Sequence, residues 1–219
     1  MKPAIKVLGV PDDVNSSFMR GSSAAPPIIR EALYSDSSNL FSESGLNLDQ
    51  KGIWEDLGDI EFAGEIAVEN FKKIKTFVKD VLASDQKLVS LGGDHSVSWP
   101  ILDAHLDVWD ALDILHIDAH PDLYDSLLGN KLSHASPFAR IMETGRASRL
   151  VQVGIRTLNK HQREQAEKFG VEIYQMKDLT KLNSLSFSKP VYCSIVIDAL
   201  DPAYAPGVSH FEPGGLSTR

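Results

Sequence analysis

The strongest constraint on the fold of this chain is an alternation. Short apolar runs at residues 5–10, 87–91, 113–117, 150–153, 171–174 and 191–197 are separated by longer amphipathic stretches. Runs of this length that stay apolar without a polar face suit strands covered on both sides, and the stretches between them are long enough for crossover helices. Pro26 and Pro27 pre-set the first turn of a helix that continues through Ile28 and Leu33. Phe71, Ile74, Val78 and Val81 recur at the spacing of one buried helical face. Residues 35–51, rich in Ser and Asn, read as a surface loop. No repeat, low-complexity tract or clear linker interrupts the pattern. The expectation is therefore one α/β domain over residues 1–219 with a mainly parallel sheet.

Three of these runs end in residues that bind cations. Gly92-Gly93-Asp94-His95-Ser96 follows the second run, Asp118-Ala119-His120-Pro121-Asp122 the third, and Asp198 closes the last. In an extended strand, side chains two apart share a face, so Asp118, His120 and Asp122 can converge on one point. Open α/β sheets place their sites at these carboxyl ends. The Gly92-Gly93 pair lets the chain turn sharply and carry His95 to the same edge. Each residue has a plainer reading on its own: Asp118 or Asp122 as a turn or cap, His95 as a loop residue, Asp198 as an Asx turn. Three strand ends all carrying ligand types favour a site for one or two divalent cations of the manganese type, since no thiolate accompanies them. Asp94 and Asp201 are assigned to turns or to supporting hydrogen bonds.

The formal charge of −8 argues against nucleic acid or an anionic membrane as the main partner. No apolar run approaches the ~18 residues of a membrane span. Because the chain enters an apolar strand within its first ten residues, no leader is read there, and the expectation is a soluble cytoplasmic protein. Cys193, the single cysteine, lies in an apolar run and reads as a buried free thiol. At the other end Ser217 is a good helix N-cap with no helix after it, so the domain is expected to be incomplete at its C-terminal end.

The segments around His95, Asp118 and Asp198, together with Ser133-His134-Ala135-Ser136-Pro137-Phe138, Gln152 to Arg156 and Ser17 to Gly21, resemble the ureohydrolases, the arginase and agmatinase family, and look most like plant-type arginases. The resemblance implies a three-layer α/β/α fold with a doubly wound sheet, a binuclear manganese centre, and hydrolysis of a guanidino group to urea and an amine. It also implies a homo-oligomer, a trimer or hexamer. By position, His95, Asp118 and Asp122 would hold one manganese ion and His120, Asp118 and Asp198 the other. Asp122 would relay a proton to the departing amine, His134 would shuttle protons or touch substrate at the site mouth, and His210 would lie on a loop around the guanidino group.

Two departures from the family pattern bear on activity. The pattern Ser-x-Asp-x-Asp-x-x-Asp-Pro has its first acid, a metal bridge, replaced here by Val196. Losing that carboxylate removes a ligand from each ion and a negative charge between two cations that repel by several kcal/mol at ~4 Å and an effective dielectric of about 20. The resemblance further implies a final segment, supplying an acid for the guanidinium group, that is expected to lie beyond residue 219. Three readings stay open: an arginase, with reduced manganese occupancy; an agmatinase or other guanidino-acid hydrolase; and a non-catalytic binding or assembly partner.

Overall fold

The computed structural model describes residues 5–84 and 86–219, which form two compact units. The first runs to Val108 except for Ser17–Met19, and the second comprises Ser17–Met19 and Trp109–Arg219.

In the first unit, β1 (Ile5–Val10), β2 (Trp54–Asp59) and β3 (Lys87–Gly92) form a wholly parallel sheet in the order β2-β1-β3. Helices α1 (Ala25–Leu33), α2 (Ala67–Leu82) and α3 (Ser98–Leu106) connect or follow these strands. As the spacing predicts, α2 buries Phe71, Ile74 and Val78, with Asn70 and Leu82 completing its inner face. Leu8, Val10, Ile74, Val78, Ile101 and Leu102 are core residues, each contributing about 1.5–3 kcal/mol by leaving water. The loop over 35–51 carries one isolated antiparallel bridge, Phe41 to Asn47. β2 was not foreseen. Its sequence, Trp-Glu-Asp-Leu-Gly-Asp, is mostly polar, because it is an edge strand whose acids meet cations: Lys6 pairs with Glu55, and Arg30 with Asp56 and Asp59.

In the second unit, β4 (Asp113–Ile117), β5 (Arg149–Ile155), β6 (Glu172–Gln175) and β7 (Val191–Ile195) form another wholly parallel sheet, ordered β6-β5-β4-β7. Helices α4 (Pro137–Glu143) and α5 (Lys160–Phe169) accompany it. Ile114, Leu123, Phe138, Ile141, Leu150, Val151 and Ile155 are fully buried here. Parallel sheets with flanking helices are the α/β architecture the alternation implied. Among the described residues, no helix is long and apolar enough to cross a membrane.

Cys193 corrects an expectation. It is exposed, not buried, because β7 pairs with β4 on one side and its alternate residues Val191, Cys193 and Ile195 point to an uncovered face. An apolar run shows that a strand can be buried, not that it is.

The turn after β3 depends on close backbone approach. A Cβ on Gly93 would stand 2.1 Å from the Asp12 carbonyl oxygen, whereas one on Gly92 would meet only a Val97 methyl at 3.4 Å. Gly93→Ala is expected to cost about 1–3 kcal/mol and Gly92→Ala much less. Urea unfolding of both variants checks this, and equal midpoints would contradict it.

Candidate metal centre

β4 delivers the centre. Its register with β5 and β7 pairs Ile117 with Val153 and Ile195, so β4 and β7 end together and β5 runs two residues further. Beyond that edge the chain does not continue as a strand. Residues 118–120 bend, and Asp122 takes a left-handed backbone conformation (φ 49°), tolerated by Asp more readily than by most residues. A turn, not the strand alternation expected, therefore brings His120 back to Asp118, and Asp122 follows in it without joining the group of ligand atoms that Asp118, His120 and Asp198 form. The turn is closed locally, since the His120 amide donates to Asp118 Oδ1 at 2.7 Å. α5 supports it from outside. Its side chains grip Leu123, with the Leu123 amide donating to Gln162 Oε1 and Gln165 Nε2 donating to the Leu123 carbonyl.

Asp118 is only 1% exposed. His120 Nδ1 lies 3.4 Å from Asp118 Oδ1 and 3.2 Å from Asp198 Oδ2, and its Nε2 lies 3.5 Å from Glu212 Oε1. Asp198 arrives on a short 3-10 turn, Ile197–Ala199, directly after β7. Asp118, His120 and Asp198 can each offer a ligand atom, all within 4.8 Å of one another. Burial would push the His120 imidazole down, but its bonds to Asp118 and Asp198 and the added charge of Asp122 override this and push it up to about 11. Burial and the neighbouring Asp118 charge push the Asp198 carboxyl up, against its bond to His120. Buried carboxylates thus surround one imidazole and favour its charged form.

The other residues singled out from sequence fall into place as follows. His134 and His210 stand with the cluster: the His210 ring lies 5.6 Å from that of His120 and 6.0 Å from that of His134. Ser17 Oγ is 2.8 Å from His134 Nε2, Ser209 Oγ is 2.9 Å from His210 Nδ1, and Phe18 packs edge-on against His210. His95 begins the 3-10 turn after β3 in the first unit, which Asp94 caps by accepting from the Ser96 amide. Asp201 is a turn residue, accepting from the amides of Ala203, Gly214 and Gly215, and these bonds hold its carboxyl below the usual range.

Two participants escaped the sequence reading. Glu212 faces His120, although it opens a Pro-Gly-Gly turn that looks merely structural. Arg156 ties the edge together. Its guanidinium donates to the carbonyls of Asp198 (2.7 Å), Ala199 (3.2 Å), Leu200 (3.2 Å), Glu212 (2.6 Å) and Gly154 (3.3 Å). An arginine with no acid nearby in sequence, directly after a buried strand, was the available signal.

A parallel α/β scaffold with imidazole and carboxylates gathered just past its strand ends is the architecture of the ureohydrolase class of hydrolases. The family model described as the arginase family matches residues 3–219, and the chain belongs to that family. It is 48% identical to "Arginase 1, mitochondrial" of rice, Oryza sativa subsp. indica, over all of this chain and 68% of the rice protein. It is 33% identical to the agmatinase of Bacillus cereus, over 98% of this chain and 74% of that protein. Among solved structures, the arginase of Medicago truncatula superposes with a TM-score of 0.91 at 45% identity, covering 98% of this chain and 72% of that one.

The same relatives overturn the cytoplasmic expectation. Arginases of rice, Arabidopsis thaliana and Medicago truncatula similar to this chain carry mitochondrial or chloroplastic in their names. Net charge and the apolar first strand report on folding, and neither encodes an address.

Arg156→Met is expected to loosen the segments around residues 198–201 and 212–216. Hydrogen exchange should quicken at the Asp201 and Leu216 amides, which bond to Leu216 and Ala199 carbonyls, by about tenfold or more while β4 and β5 stay protected, since hydrogen bonds to a charged group contribute about 1.5–3 kcal/mol. Uniform acceleration across both sheets would contradict this local role.

Proposed function

We propose that this chain is a manganese-dependent arginase, hydrolysing L-arginine to L-ornithine and urea. The observation that carries the reading is the joint one: identity of 46–48% to plant arginases across the whole chain, with Asp118, His120 and Asp198 drawn together in a buried acidic cluster. Identity to the Bacillus cereus agmatinase is lower, at 33%, which ranks agmatine below arginine as substrate.

The residues fit a divalent cation. Asp198 Oδ1 is buried with no hydrogen-bond partner, an arrangement that a cation would satisfy, and a donor set of carboxylates and imidazole without thiolate suits manganese. Asp118, His120, Asp122 and Asp198 are the ligands proposed in the second unit, and the family resemblance adds His95. Bound manganese would lower the pKa of a water and position it against the guanidino carbon. Asp122, held in its turn, accepts a proton and passes it to the departing amine. His134, with Nε2 on Ser17 Oγ, exchanges protons at the site mouth. His210 and Glu212 stand beside His120, where a ring face and a carboxylate suit a planar cationic group.

Val196 weakens this assembly. It is the extended residue (φ −100°, ψ 136°) between β7 and the 3-10 turn that carries Asp198, and the family resemblance puts a metal-bridging carboxylate at this position. We propose reduced manganese occupancy and low activity in this chain, working as one domain and as a homo-oligomeric trimer or hexamer. A non-catalytic binding role is the second reading, favoured by Val196 alone.

Val196→Asp is expected to raise bound manganese from about one ion or fewer toward two and to raise urea release from arginine at least tenfold, with agmatine a poorer substrate. Metal analysis paired with a urea assay at added manganese checks both. Unchanged stoichiometry would show that the valine is not the limiting defect, and urea from agmatine alone would replace arginine as substrate.

A further inference from the structure

Beneath Asp118 lies a buried polar chain that the proposed chemistry does not use. His116, on β4 two residues before Asp118, and Gln152, opposite it on β5, are both completely buried. His116 Nε2 is 2.8 Å from Asp118 Oδ2. Gln152 Nε2 is 3.1 Å from His116 Nδ1 and 2.6 Å from the carbonyl oxygen of Pro121. Phe138 packs against the His116 ring at 4.2 Å.

The order of cause runs from the backbone inward. The Pro121 carbonyl can only accept, so the Gln152 amide must turn its NH2 toward it; the reverse orientation would set two oxygens 2.6 Å apart. That orientation leaves Gln152 Oε1 buried with no hydrogen-bond partner, a smaller cost than two carbonyl oxygens in contact. With its NH2 so placed, Gln152 also presents an N–H to His116 Nδ1, which must then be the bare, accepting nitrogen. The ring proton is left on Nε2, aimed at Asp118 Oδ2. The other oxygen, Oδ1, already accepts from the His120 amide, so the carboxylate is gripped at both ends.

We propose that Gln152 and His116 are positioning residues: the Pro121 carbonyl sets the Gln152 amide, Gln152 selects the Nε2–H tautomer of His116, and that proton orients the Asp118 carboxylate for a divalent cation. Pro121 lies in the same turn as Asp118 and Asp122, so the turn that presents the ligands also sets the tautomer behind them. A hydrogen bond to the far side of a metal-binding group commonly governs its affinity by about 10–100-fold.

The inference rests on Asp118 being a cation ligand, and the experiment separates the two claims. Nitrogen chemical shifts of His116 in the metal-free protein report the tautomer without reference to activity. The wild-type chain is expected to show a bare Nδ1 and a protonated Nε2; a protonated Nδ1 with bare Nε2 overturns the proposal outright, with no variant needed. Gln152→Glu keeps the size but puts an acceptor opposite Nδ1, and is expected to lose the bare-Nδ1 signature. Gln152→Leu should weaken manganese binding, titrated with the metal alone, by about 10–100-fold while near-ultraviolet circular dichroism stays unchanged. Wild-type manganese affinity in both variants would sink the positioning role. If Asp118→Asn also binds manganese like the wild type, it is the ligand assignment that fails, and the tautomer result still decides the hydrogen-bond chain.

Discussion

A carboxylate sealed from water at the end of a central strand governs everything around it. Asp118 is 1% exposed, and a buried charge without partners costs several kcal/mol. The chain answers with donors from two directions. His116 approaches from within the sheet, and the His120 amide turns back from the loop. That second bond bends the chain immediately after β4, which swings the His120 ring toward Asp198 and leaves Asp122 in its left-handed conformation. The acidic character then exceeds what one imidazole neutralises, and the His120 pKa near 11 records the imbalance.

Much of this was legible in the residues. Continuous apolar runs marked β1, β3, β4, β5, β6 and β7 because parallel strands under helices need apolar faces on both sides, and the ligand-type residues stood at their ends for the reason any open α/β sheet has its site there. β2 was hidden because an edge strand can satisfy its acids with Arg30 and Lys6 and needs little apolar surface. The means of convergence at residues 118–122 was misread, since the alternation of a strand and the curl of an Asx-type turn both bring residues i and i+2 together. Cys193 failed as a burial prediction because apolar composition cannot report whether a neighbouring element covers a strand.

The supporting residues were harder to see. Arg156 acts on backbone carbonyls, and Gln152 on a carbonyl and a ring nitrogen. The stretch Gln152 to Arg156 carries part of the family resemblance, but neither residue needs a partner of matching charge at a fixed spacing, so its role is not legible there. His116 was missed as well, although a histidine two residues before a ligand on the same strand shares its face. Position 196 shows the opposite case: the family pattern has a carboxylate there, and this chain has a valine. Family membership and the strength of the metal centre are thus separate properties, carried by different residues.

The account stands on Asp118, His120 and Asp198 forming a cation site. Titrating the wild-type chain and Asp118→Asn with manganese, and following free Mn2+ by electron paramagnetic resonance, tests this without reference to turnover. Loss of the free-ion signal in the wild type but not in the variant is the predicted result. Equal binding by both, or none by either, would contradict it.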